Sequence, residues 1–406
     1  MCTSISSLKL RRLVPLIQVS GMRLAVVIGC LLLAQSYLTN SQRLRFRSEY
    51  GITDEIKQIL LENCKNEPGG CDANAEKFKK KRNEVKELLV DELEFEEGLD
   101  EEEAGQRVEE LLEKVQELKT LIHAEMGIPE IPPADDGLFE GDIILTKEQA
   151  QAMIDQIQGR AKRAASLHLE QEPDSLWKMP IRYWVNTTVL TPVQQKNFDE
   201  ALDLMTQAVP CIRFQKDDAP LKTGSQIQYQ VRGGGCGGVS NLGHVGINVI
   251  GIEAEKDETC VDDALRGTVI HETIHSLGGG HEQSRTDRNQ YVEILWKNIH
   301  PDYADQFKIQ DGTTSYGAPY DYQSIMHYAN GAAAKEGGLP TMKALKAENP
   351  KMGGNTLTPN DILQLKRMYC STCTDQTAEC GTQALAGGCN QEQTRTQCRR
   401  SCGQCD

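Results

Sequence analysis

The sequence predicts an α+β domain in its second half, a helical segment before it and a small disulfide-stapled module after it. Three observations lead there. Strand-like runs between residues 179 and 252 alternate with helical ones, residues 271–281 carry three histidines of which the first two are at helical spacing, and the cysteines fall into even groups. The chain has 406 residues, 14 cysteines and a formal net charge of −15, a length that suits two or three domains.

Residues 1–36 read as a secretory signal. Lys9, Arg11, Arg12 and Arg23 precede the apolar run Leu24–Ala34, and small residues at Ala34 and Ser36 offer a cleavage site. The run is too short for the roughly 30 Å of a bilayer core, so a membrane anchor is the weaker reading. Export of a protein without a membrane span fits the cysteine count, which a reducing cytosol disfavours. Without the signal, twelve cysteines remain: Cys64 and Cys71; Cys211, Cys236, Cys260 and Cys370; and six from Cys373 to Cys405. Even groups suit separately oxidised domains.

Residues 37–163 hold 18 basic and 30 acidic groups, so most of the acidity lies in one block. The chain is net acidic, which argues against nucleic acid as a partner. Val108, Leu111, Leu112, Val115, Leu118 and Ile122 repeat at helical spacing. A solvated helical pair with one apolar stripe is the plainer reading, a partner-binding coiled coil the other. A Pro-rich connector, residues 127–137, leads to Phe139-Glu140-Gly141-Asp142. Residues 160–163, Arg-Ala-Lys-Arg, suit furin-like or trypsin-like processing after Arg163, although such runs are also ordinary charge clusters. Strands are expected at Met179–Asn186, Ile212–Phe214, Gln226–Val231 and Asn248–Ile252, with a glycine-rich turn around Cys236. Thr191-Pro192 and Thr358-Pro359 each open a helix, the first reaching about Ala208 and the second ending near Tyr369.

The segment His271-Glu272-Thr273-Ile274-His275 places two imidazoles on one helix face, where both reach a single Zn²⁺. Gly278 can break the helix and return His281 as a third ligand. Three histidines leave an open position, the mark of a catalytic rather than a structural zinc. Glu272, beside the first ligand, is placed to take a proton from water as it attacks a carbonyl.

The run His271 through Arg288, His-Glu-x-x-His-x-x-Gly-x-x-His-Glu-x-x-Arg-x-Asp-Arg, resembles the astacin family of metzincin endopeptidases. Ser324-Ile325-Met326-His327-Tyr328, whose Met lies 45 residues after His281, agrees with it. The resemblance implies a zincin-type α+β fold with a twisted sheet, an active-site helix and one zinc on His271, His275 and His281. It places Met326 in a turn beneath the metal and makes Tyr328 a further ligand that moves to support the oxyanion. It joins Cys211 to Cys370 and Cys236 to Cys260. It also makes Asp142 a zinc ligand of an inhibitory propeptide, and buries the new N-terminus, Ala164, near Glu282; a local ion pair of Glu282 with Arg285 or Arg288 is the alternative. The implied product is a secreted zymogen that hydrolyses extracellular proteins. Two departures stand out: Gly279, followed by Gly280, where the family usually has Phe, and Ala332–Ala334 in place of an aromatic. They are expected to loosen the cleft without touching a ligand.

Cys373, Cys380, Cys389, Cys398, Cys402 and Cys405 lie in a segment too small to bury a core unaided. Fifteen pairings are open to six cysteines. The pattern resembles the ShK-toxin-like domain, which implies Cys373–Cys405, Cys380–Cys398 and Cys389–Cys402. Residues 371–406 contain neither Lys nor Tyr, so an accessory role is expected rather than channel block. Asn186-Thr187-Thr188 is a glycosylation sequon. The expected division is signal 1–36, propeptide 37–163, metalloprotease domain 164–370 and stapled tail 373–405. A zinc-stabilised binding protein without catalysis is the competing class, supported by the Gly279-Gly280 pair and the tail.

Overall fold

In a computed structural model of the chain, the residues described are 52–66, 70–72, 74–159, 176–186, 190–233, 235–254, 260–310, 315–370, 375–377, 380–385, 387–402 and 404. The signal, Arg163, Ala164, Cys373 and Cys405 lie outside them.

The acidic block folds as helices. α1 (Asp54–Asn66) is tied by a Cys64–Cys71 disulfide to the turn that follows. α2 (Ala75–Glu97) stops at Gly98, whose φ of 69° suits glycine, and Asp100 caps α3 (Glu101–Met126) by accepting the Glu103 N–H at 2.9 Å. The apolar stripe of α3 is buried at Val108, Leu112, Val115, Leu118 and Ile122, with Leu111 half-buried. The helical pair is not solvated on its apolar side. Val85, Leu88, Val108 and Leu112 form one core with Leu138 and three residues of the main sheet, Ile144, Val239 and Val249. Beyond the stripe, α3 buries Lys119 and His123. The Lys119 ammonium meets Asp136 at 2.8 Å and Asp305 at 3.8 Å, and the His123 ring lies 3.5 Å from Asp305. Buried charges need such partners, and here they join the N-terminal segment to the later domain.

Burial raises the carboxyls of Glu92 and Glu96 in α2, Glu96 to about 8, where the hydrogen bond and charge of Glu92 add to the effect. The folded helix therefore favours protonated Glu96. Its stabilisation is complete below the ordinary value of 4.5 and is lost as pH rises through about 8. Intrinsic-rate-corrected hydrogen exchange of α2 amides is expected to accelerate over this range, and Glu96→Gln should weaken that dependence, leaving the part that Glu92 carries.

After the connector come β1 (Ile143–Ile144) and α4 (Lys147–Ile157), the latter opened by a Thr146/Gln149 capping box. The later domain has β2 (Ile181–Val185), α5 (Pro192–Ala208), β3 (Phe214–Lys216), β4 (Gln226–Arg232), β5 (Cys236–Asn241), β6 (Ile247–Ala254) and α6 (Asp262–Ser276). The strands form one sheet in the order β1-β5-β6-β4-β2-β3, parallel except for the antiparallel β5–β6 pair. The region around Cys236, expected to be a turn, is a strand. Its backbone hydrogen-bonds to β6, and β1 pairs along its far side with Ile143 opposite Ser240. The N-terminal segment thus covers what would otherwise be the edge strand.

α5 and α6 pack on the sheet through Phe198, Leu202, Met205, Tyr229, Ile250, Leu265, Val269 and Ile274. The Tyr229 hydroxyl hydrogen-bonds to Thr273 at 2.8 Å and fixes α6 against β4. Below α6 the chain is largely irregular, with β7 (Val292–Ile294) paired to β8 (Met342–Ala344). α7 (Pro359–Leu365), capped by Thr358 and Asp361, continues as a π turn to Cys370. Cys211–Cys370 and Cys236–Cys260 are bonded. Asn186 follows β2 half-buried, its N–H on the Tyr229 carbonyl. In the tail, α8 (Cys380–Leu385) and α9 (Glu392–Gln397) are stapled by Cys380–Cys398 and Cys389–Cys402. No helix among the described residues is long and apolar enough to cross a membrane.

Candidate metal centre

α6 sets the first two histidines one turn apart, and their rings meet edge to face at 4.7 Å. The carbonyls left open at the helix end find partners elsewhere: Trp177 donates to Ser276 and Tyr369 to Leu277, each at 2.8 Å. Gly278, at φ 101°, then turns the chain, and His281 comes back beneath the helix. His271, His275, His281 and Asp142 each offer one ligand atom, and the four lie within 4.8 Å of one another. The Asp142 carboxylate is 3.2 Å from His281 Nε2, 3.4 Å from His271 Nε2 and 3.6 Å from His275 Nε2.

Each imidazole is oriented through its other nitrogen. His271 Nδ1 donates to the Ile325 carbonyl and His275 Nδ1 to the Gly279 carbonyl, both at 2.8 Å, while His281 Nδ1 meets the Glu140 carboxylate at 2.9 Å. With the Nδ1 atoms so engaged, three Nε2 atoms and a carboxylate face one another; His271 Nε2 and His275 Nε2 are 3.0 Å apart. Such a set repels itself unless a cation lies between its members. Nitrogen-rich, fourfold and supported from behind, it fits zinc. Burial pushes His275 down to about 4, holding it in the neutral form a metal ligand needs. Burial also opposes a charge on His281, yet Asp142 and Glu140 raise that ring to about 10. The surplus of negative charge is what a dication would meet.

Glu272 is 3% exposed, and its Oε2 has no hydrogen-bond partner. Burial, then the charge of Asp142, raises its carboxyl well above the usual range. It lies against β5: a Cβ built on Gly238 would come within 2.4 Å of Glu272 Cγ. Gly238→Ala is therefore expected to displace this carboxylate. Peptide turnover should fall about tenfold to a hundredfold while bound zinc is unchanged, read by quenched-peptide kinetics and metal analysis.

Met326 is buried in the core beneath α6, and its carbonyl accepts the Glu282 N–H at 2.9 Å. Its turn is held by Asp361, which accepts from Ser324 Oγ at 2.6 Å and the Ile325 N–H at 3.2 Å, so the Ile325 carbonyl is aimed at His271. The Tyr328 hydroxyl donates to the Glu140 carbonyl and lies 3.4 Å from Gln306 Oε1. Glu282 accepts from Arg285 and from the Asp321 N–H, the local ion pair foreseen as its alternative.

Gly279 corrects the expectation of slack. It is buried; its N–H donates to Ile274 and its carbonyl serves His275, so the residue does touch a ligand. A Cβ there would meet Ile274 Cγ2 at 2.4 Å. Gly280 is exposed and has open space around it. Sequence reasoning also missed Glu140, Gly238, Gln310 and Asp361. Only Glu140, inside the quoted tetrapeptide, carried any signal.

A zincin-like mixed α/β fold around a His₃/Asp group defines a metallopeptidase domain. Residues 169–370 match the family model of the Astacin peptidases. The chain is 34% identical over 305 residues to zinc metalloproteinase nas-9 of Caenorhabditis elegans, covering 68% of this chain and 54% of that protein. It is 32% identical over 245 residues to meprin A subunit alpha of Rattus norvegicus, covering 58% of this chain and 28% of that protein. Among solved structures it matches high choriolytic enzyme 1, a hatching enzyme zinc-protease from Oryzias latipes, at 28% identity and a TM-score of 0.42, over 48% of this chain and 94% of that one. Residues 169–370 are thus an astacin-family zinc metalloproteinase domain. The chain spans about half the length of the first of these relatives.

Proposed function

We propose that this protein is a secreted zinc endopeptidase made as a zymogen. Residues 37–163 silence the site until a furin-like or trypsin-like protease cuts after Arg163. The observation that carries the reading is the Asp142 carboxylate, delivered by the N-terminal segment into the three-histidine group while β1 occupies the edge of the sheet. A cleft filled in this way is closed to substrate.

His271, His275 and His281 would hold the zinc, with Asp142 as fourth ligand in the precursor. Bound there, Zn²⁺ supplies Lewis acidity that polarises a scissile carbonyl and acidifies water. Removing the N-terminal segment uncovers β5, whose free backbone groups can pair with an extended peptide. Glu272, rid of the neighbouring Asp142 charge, takes the proton of the attacking water and passes it to the leaving amine. Tyr328, rid of its Glu140 acceptor, is free to donate to the oxyanion. Met326 and Glu282 keep the floor of the site in place, and Ala164 would become the new terminus near Glu282. The substrates are peptide bonds of extracellular proteins. The tail at 373–405 is read as a ShK-like accessory module, and Asn186 as a glycan acceptor.

The test is cleavage of casein or a quenched peptide by trypsin- or furin-treated protein, with and without a chelator. Chelator-sensitive cleavage is expected. Zinc bound without cleavage would favour the non-catalytic binding protein instead.

A further inference from the structure

Two residues before Asp142 the N-terminal segment carries a second carboxylate into the site. Glu140 is 1% exposed and adopts φ 48°, a conformation L-residues seldom take. Its Oε2 accepts from His281 Nδ1 at 2.9 Å, its Oε1 from Gln310 Nε2 at 2.7 Å, and its carbonyl from Tyr328. Gly141, at φ 89°, makes the return possible; a Cβ there would press to 3.0 Å from the Gln306 amide. The two carboxylates of one tetrapeptide therefore grip opposite edges of the same imidazole, Asp142 at Nε2 and Glu140 at Nδ1.

The other two histidines differ. Their Nδ1 atoms face carbonyls of Ile325 and Gly279, which belong to the metalloproteinase domain and stay with it. His281 instead takes its partner from the segment expected to be cut away. A carboxylate behind a metal-bound imidazole fixes its orientation and raises its basicity, and losing such a partner typically weakens metal binding about 10–100-fold.

We propose that Glu140 is a positioning residue for the metal, acting through His281, so that the precursor holds zinc more firmly than Asp142 alone would achieve. The inference rests on the zinc reading above. It makes activation a change in the metal's surroundings as well as the opening of a cleft: one cut releases both the fourth ligand and the support of the third histidine.

The experiment uses the full-length, unprocessed chain loaded with one zinc, and follows metal transfer to a chromogenic chelator. Glu140→Ala is expected to release zinc about 10–100-fold faster than wild type. Glu140→Gln should fall between them, because its amide oxygen still accepts from His281 while its NH₂ opposes that of Gln310. Processing either variant removes residue 140, so the resulting enzyme should match wild type per bound zinc; this also shows that the variant precursor folded. Release at the wild-type rate from both variants would overturn the inference and leave the zinc reading intact. A wild-type precursor that binds no zinc would overturn the zinc reading itself.

Discussion

Glu272→Gln is expected to lower peptide hydrolysis by about 10²–10⁴-fold relative to the activated wild type while one zinc remains bound. The substitution keeps the shape of the side chain and removes only its capacity to carry a proton. The site gives Glu272 little else to do: it is buried, one carboxylate oxygen lacks a hydrogen-bond partner, and Gly238 leaves it room on the sheet side. Zinc should persist because the ligand atoms belong to other residues. Steady-state kinetics on a quenched peptide, paired with metal analysis of the same sample, reads both quantities. Near-normal turnover in this variant would overturn the assignment of Glu272 as proton carrier.

Asp142→Ala is the second large effect. An intramolecular ligand acts at an effective concentration far above that of any free competitor, so its loss should raise chelator-sensitive activity of the uncut precursor by about tenfold or more. The rise should remain short of that of processed enzyme. β1 still pairs with β5, and the Lys119, Asp136 and Asp305 cluster still ties α3 to the later domain. Activity must be measured on chain shown by gel to be intact. A precursor as silent as wild type would count against Asp142 as the switch and shift the block to strand pairing alone.

The two sets of contacts at the N-terminal segment do different chemistry. Asp142 and Glu140 address the metal group, whereas the apolar core shared with Val239 and Val249 and the buried lysine address the scaffold. On the proposed activation, cleavage after Arg163 relieves neither by itself. The segment must also separate from a surface on which its hydrophobic stripe is buried, so complete activation should lag behind cleavage.

Much of this is legible from residue order because it depends on neighbours in the chain. Histidines at i and i+4 share a helix face whatever surrounds them, threonine-proline pairs open α5 and α7 as expected, and even cysteine groups anticipate separate bonding. The glycine-rich stretch at Cys236 misleads because glycine has little strand preference of its own; hydrogen bonds from β6 and β1 on its two sides make it β5. Gly279 misleads because its value lies in a carbonyl, which every residue type possesses.

The supports of the three imidazoles show where each kind of information ends. The spacing of His271, His275 and His281 is written in one short segment. The acceptors behind them come from 54, 4 and 141 residues away, respectively. Local periodicity identifies the ligand types and the local turn at Gly279 supports His275; only long-range packing, driven by burial of the sheet and of α3, decides which oxygen stands behind His271 and His281. That is why the metal group could be read from the chain alone, while the role of Glu140 required the fold.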